Sequence, residues 1–229
     1  MRPIPTSLTP GPRHSIAISG DSLTENQTLM VPQHLMWPAV LQSSLRAQGA
    51  RVRSRNFARN GRTTTQMSTA KANLTYFDVP KVYICFGGVN DPGNSIVGAT
   101  TQANIQAMIA HCFAAGTEYA VVVSTQYLNW STGGDTINTP GSTYATLRTF
   151  QSAAATAANV TYPGRVAYCD LYTYMRALIV AGTYTQGDFA WHTADSNQHL
   201  NVAGEAIVAA AVLATITAQT GWLDALRKG

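Results

Sequence analysis

Five short runs, residues 14–20, 51–58, 81–88, 119–126 and 165–171, have the β-branched, nearly continuous apolar look of central strands, with helical spacing between them. Strands of that kind are buried on both faces, and the sheets that hold them are parallel and covered by helices. Residues 37–47 place Val40, Leu41 and Leu45 on one face. Residues 102–115 repeat Ile105, Met108, Ile109, Cys112 and Phe113 at helical intervals and stop at Gly116. A third helix is expected over 144–158, a short one after the fifth strand, and a closing one over 203–218. Strand and helix alternate throughout, which predicts an α/β fold with helices on both faces of one parallel sheet.

The 229 residues fit one domain, 14–229, preceded by an extended arm, 1–13, that carries four prolines. The arm has no apolar segment of the kind a Sec-type signal peptide needs, so the expected location is the cytoplasm, or release without such a signal, for instance with a particle. A hydrophobic content of 45% excludes a disordered chain, and the 11% of charged residues leaves the surface to uncharged polar groups. The longest apolar stretch, 202–216, is short for a membrane span and contains Gly204 and Glu205, so it reads as a buried helix. Cys85, Cys112 and Cys169 are odd in number and set in apolar runs, which predicts free buried thiols. Part of the net charge of +4 sits in one stretch, Arg51, Arg53, Arg55, Arg59 and Arg62. The first three alternate with Val52 and Ser54, as on the polar face of an edge strand. Without aromatic interleaving they do not make a nucleic-acid surface.

In a parallel sheet the ligand site lies beyond the carboxyl ends of the strands. After the first strand stands Gly20-Asp21-Ser22-Leu23-Thr24, where Ser22 is either a helix cap or a nucleophile presented at the rim. After the second, Asn60-Gly61 is a turn or a backbone N–H donor to a substrate oxygen. Gly87-Gly88-Val89-Asn90-Asp91 follows the third and offers the Asn90 amide. Before the last helix, residues 188–204 hold His192 and His199 with Asp188 and Asp195, material for a base and the acid that orients it. His14 at a strand start, His34 in a short loop and His111 within a helix suit structural roles.

Gly20-Asp21-Ser22-Leu23, Gly61, Gly87-Gly88-Val89-Asn90-Asp91 and His199-Leu200-Asn201 resemble, in order, the four blocks of the SGNH/GDSL hydrolases. The resemblance spans residues 14 to about 210. It implies a three-layer, flavodoxin-like sheet of five strands in the order 2-1-3-4-5 carrying a serine esterase site. Ser22 would attack the ester carbonyl, and the N–H groups of Ser22 and Gly61 with the Asn90 amide would hold the oxyanion. His199 would be the base. The family's acid usually stands three residues before the histidine, where this chain has Ser196. A one-residue bulge brings Asp195 to that role; the alternatives are Asp188, a backbone carbonyl, or His192 as base with Asp188 behind it.

No paired Cys/His spacing and no phosphate-binding loop occurs, so neither metal nor organic cofactor is implied. The polar loop around Trp130 suits a sugar-like alcohol better than a fatty chain, and Tyr127, Trp130 and Trp191 are candidate stacking partners for sugar rings, with loop anchoring as the alternative. The expected activity is hydrolysis of short-acyl esters, acetyl above all, including O-acetyl groups on a carbohydrate. The competing readings are a lipolytic esterase, thioesterase or lysophospholipase of the same fold, and a non-catalytic carbohydrate-binding component of a virion or other particle.

Overall fold

A computed structural model of the chain describes residues 14–25, 31–96, 98–126, 143–184 and 199–228. Strands β1 (His14–Gly20), β2 (Val52–Asn56), β3 (Val82–Phe86), β4 (Tyr119–Val123) and β5 (Val166–Cys169) pair in parallel in the order β2-β1-β3-β4-β5. The helices are α1 (Trp37–Ala47), α2 (Thr64–Thr69), α3 (Gly98–Ala114), α4 (Thr143–Thr161), α5 (Leu171–Val180), α6 (Val202–Ala218) and α7 (Trp222–Arg227). The Pro-rich arm, 1–13, lies outside the described residues.

The alternation of side chains along each strand divides the core in two. Ile16, Ile18, Ile84, Phe86, Val121 and Val123 face α1, α5, α6 and α7, whereas Ala17, Tyr83, Cys85, Ala120 and Val122 face α2, α3 and α4. The three cysteines are buried and free, as their apolar settings require. Strand β2 lies at the edge, and its arginines 53 and 55 point to an exposed rim where both pair with Asp78. None of the described helices is long and apolar enough to cross a membrane.

Apart from β1, the strands stop short of the runs that announced them. Beyond β3 and β4 a side chain takes over backbone groups, whereas beyond β2 the N–H groups of Phe57 and Arg59 still donate to the β1 carbonyls of Ile18 and Gly20. Gln151 of α4 donates to the Gly87 carbonyl (2.9 Å) and accepts from the Thr125 N–H (3.0 Å), so the segments after β3 and β4 are held apart as rim turns. Helix α3 begins four residues before the expected start, with Gly98 against the Phe150 ring. Helix α7 was not foreseen; α2 fills the place between β2 and β3 that the alternation of strand and helix implied without giving it bounds. Helix α7 is short, but Trp222 is buried, stacks on Tyr119 at 4.6 Å and donates its indole N–H to the Gly164 carbonyl at 3.1 Å. His34 sits in a single 3-10 turn rather than an open loop, and His111 bonds Thr75 at 3.0 Å, fixing the segment before β3 onto α3.

Candidate active site

Helix α1 follows the turn after β1 and runs back along the sheet, so its first residue lies at the carboxyl edge of the strands. Its Trp37 N–H, one of the donors a helix start leaves without a partner, is taken by Glu205 Oε2 at 2.7 Å. Glu205 stands in the first turn of α6, so α6 begins at the same edge. Asn201 caps that helix, its side-chain oxygen accepting from the Gly204 N–H at 2.9 Å, and Leu200 is buried beside it. His199, half-buried two residues before this cap, is therefore carried to the rim where Ser22 also stands.

Ser22 follows β1 in a tight turn. The Asp21 carbonyl accepts from the N–H groups of Thr24 (3.1 Å) and Glu25 (2.9 Å), and Asp21 Oδ1 accepts from the Leu23 N–H at 3.1 Å. Asp21 is fully buried and organises the turn, and Ser22 beside it is half-buried. Burial pushes the Asp21 carboxyl up to about 7, against the pull of the N–H groups of Leu23, Gly88 and Val89. Gly20 before it has no room for a side chain: a Cβ there would lie 2.5 Å from both the Phe86 carbonyl oxygen and Thr24 Oγ1. Gly20→Ala is expected to cost about 2–4 kcal/mol in urea unfolding, and a cost below about 1 kcal/mol would mean that β1 and β3 separate easily at this end.

The turn after β2 is lashed to the Ser22 turn. Asn56 donates to the Thr24 carbonyl (2.7 Å) and accepts from the Ala58 N–H (3.0 Å), Arg59 N–H donates to the Gly20 carbonyl (3.2 Å), and Glu25 accepts from Arg59 and from the Asn60 N–H. Gly61 then turns with φ +69°, a left-handed conformation that favours glycine, in open space. The third turn meets the second directly: Asn90 Nδ2 donates to the Arg62 carbonyl at 3.1 Å. Behind it, fully buried Asp91 accepts from Thr64 N–H (2.8 Å), Thr64 Oγ1 (2.5 Å) and Thr101 Oγ1 (2.5 Å), joining α2 and α3 to the Asn90 turn.

The structure thus places Ser22, Gly61 and Asn90 on hydrogen-bonded turns after three adjacent strands, with His199 at the same rim. Tyr127, Trp130, Asp188, Trp191, His192 and Asp195 lie outside the described residues. Motif reading attached no role to Glu25, Asn56, Thr64 or Gln151, which hold the turns in place. One signal was readable: Thr63-Thr64-Thr65-Gln66 is a capping box and starts α2. Among the described residues no three His, Cys, Asp or Glu side chains converge as metal ligands.

Residues 18–207 match the model of the GDSL-like lipase/acylhydrolase family. No curated protein matches the chain in sequence. Among solved structures it resembles TesA (19% identity, TM-score 0.65, 89% of this chain and 98% of that one). It also resembles a member of the lipolytic G-D-S-L family from Veillonella parvula (17%, 0.66, 90% and 99%) and the acetylxylan esterase Axe2 from Geobacillus stearothermophilus (15%, 0.67, 88% and 93%). At these identities the likeness is one of fold.

Proposed function

Because this chain belongs to the GDSL-like lipase/acylhydrolase family, we propose that it is a serine esterase acting on short-acyl esters, acetyl above all, including O-acetyl groups on a carbohydrate. The observation that carries this reading is the Asn90–Arg62 bond, which joins the Asn90 amide to the Gly61 turn while Glu25 and Asn56 join that turn to Ser22. On this reading one nucleophile and three donors serve one small volume. In this mechanism Ser22 Oγ attacks the carbonyl carbon as His199 takes its proton, and the carbonyl oxygen gains charge between the Ser22 and Gly61 N–H groups and the Asn90 amide. His199 returns the proton to the departing alcohol, and water releases the acid from Ser22 by the same route in reverse. Asp195 is the assigned orienter of the imidazole.

A cavity of about 650 Å³ beside the Asn90 turn, lined by Pro92, Ile96, Leu147 and Phe150 among others, favours a second reading, that of a lipolytic esterase or thioesterase. Hydrolysis of p-nitrophenyl acetate, butyrate and octanoate separates the two. The expected result is a kcat/KM for acetate at least about tenfold above that for octanoate, a difference of roughly 1.4 kcal/mol in the barrier. Preference for octanoate would assign the cavity to an acyl chain. Failure to hydrolyse any of the three, with retained glycan binding, would return the chain to the non-catalytic reading.

A further inference from the structure

A second cavity, of about 310 Å³, opens on the other side of the Gly61 turn, over the ends of β1 and β2. Its walls are of two kinds. Phe57, Met67, Leu74, Tyr76 and Phe77 supply apolar surface, while Arg59 and Arg62 supply positive charge. Tyr76 and Phe77 are 78% and 76% exposed, a large apolar area that the fold does not use. Their rings meet edge to face at 5.0 Å, and the Arg55 guanidinium lies over Phe77 at 5.5 Å, so the pair is held as a platform.

The charges around this cavity do not balance. Arg53 and Arg55 share the single carboxylate of Asp78, and Arg59 is paired with Glu25. The Arg62 guanidinium pairs with no acidic side chain among the described residues. A planar guanidinium beside exposed ring faces fits a flat-sided ring that carries a carboxylate, which it can bind through two parallel N–H bonds. Arg62 is also the residue whose carbonyl holds Asn90, one residue from Gly61, so a ring bound here lies next to the ester site. The volume suits a single sugar ring rather than the extended run of bases that a nucleic-acid groove accommodates.

We propose that this cavity is a subsite for a carboxylate-bearing sugar of a uronic-acid type, and that it directs the esterase to acidic, rather than neutral, acetylated glycans. The substrate preference rests on the esterase reading; the binding does not.

The test therefore begins with binding alone, by calorimetry on the Ser22→Ala protein at low salt, with unacetylated trigalacturonate and xylotriose as probes. Trigalacturonate is expected to bind at least about tenfold more tightly than xylotriose. Arg62→Gln should bring that ratio below about threefold, and Phe77→Ala should weaken trigalacturonate binding about tenfold. Equal affinity for the two sugars, or no trigalacturonate binding up to roughly 10 mM, would overturn the proposal. So would an unchanged ratio in Arg62→Gln, or tighter binding of an oligothymidylate of equal charge. A second arm compares acetate release from acetylated homogalacturonan and acetylated xylan by the wild type. Faster release from the acidic polymer is expected, and an equal rate overturns the directing role. Absence of ester hydrolysis on every substrate would instead remove the esterase reading and leave the binding result standing.

Discussion

Ser22→Ala is expected to lower kcat/KM for p-nitrophenyl acetate by at least about 10⁴-fold, with unfolding by urea little changed. Ser22 is half-buried, and the turn that carries it is built by Asp21, Thr24 and Glu25, so losing its hydroxyl leaves the support of the turn in place. His199→Ala should cost a similar factor, and the double variant should be no worse than either single one, because in the proposed mechanism nucleophile and base act as one unit. Asn90→Ala should lose about 10²–10³-fold, mostly in kcat, since in the proposed mechanism its amide meets the oxygen only as charge develops. That variant also gives up the bond to the Arg62 carbonyl, so part of its loss reflects a loosened Gly61 turn. Retention of a tenth or more of the wild-type rate by Ser22→Ala would remove Ser22 from the mechanism.

The order of loss expected across these variants tracks what could be read before the fold was known. That Ser22, Gly61 and Asn90 stand on rim turns was legible because each lies just past an apolar run, and position after a strand is a local property; the roles proposed for them came with the resemblance to the SGNH/GDSL hydrolases. Sheet order was what the resemblance to the SGNH/GDSL hydrolases implied, and the edge position of β2 came from the alternation of Arg53 and Arg55 with smaller residues. The supporting contacts were not legible. Asp91 reaches Thr64 across 27 positions, Gln151 reaches Gly87 across 64, and Glu205 reaches Trp37 across 168. No periodicity encodes such pairs; they exist only once the crossovers have brought the turns to one rim. The same partners explain the overlong strand expectations, since β3 and β4 end where Gln151 replaces a neighbouring strand as hydrogen-bond partner. Helix α7 escaped because its six residues are too few to show a period, and its stability comes from burying Trp222 and Leu226.

Global stability should fall as pH rises from about 5 to 8, by several kcal/mol in all. Two buried carboxyls set this direction. Burial raises Asp21 from 3.8 to about 7, and burial raises Glu205 from 4.5 to about 8, with only the Trp37 N–H opposing it. In both cases the folded chain keeps a proton that the unfolded chain has already released, so between the two values the folded state binds more protons. Stability is then greatest below the unfolded values, declines through the window, and levels off above about 8. At about 1.4 kcal/mol per unit each carboxyl contributes at most roughly 4–5 kcal/mol, less whatever relaxation recovers. Glu205→Gln separates the two. Its carboxamide oxygen still accepts from the Trp37 N–H, so the α1–α6 junction remains while the titration disappears, and the slope of urea-derived stability between pH 5 and 8 should drop by about half. A flat or rising profile in the wild type, or an unchanged slope in Glu205→Gln, would show that neither carboxyl is held protonated by burial. Cys85, Cys112 and Cys169, with thiols raised to about 11, 12 and 11, bring a further decline only at higher pH, outside this window. The consequence for catalysis is a conflict of direction: a histidine base accepts a proton only when neutral, so the proposed reaction gains rate with pH while the fold beneath it loses stability. Glu205→Gln should relieve that conflict, extending the activity half-life at pH 8 with the initial rate unchanged, because its carboxamide keeps the α1–α6 junction that carries His199 to the rim.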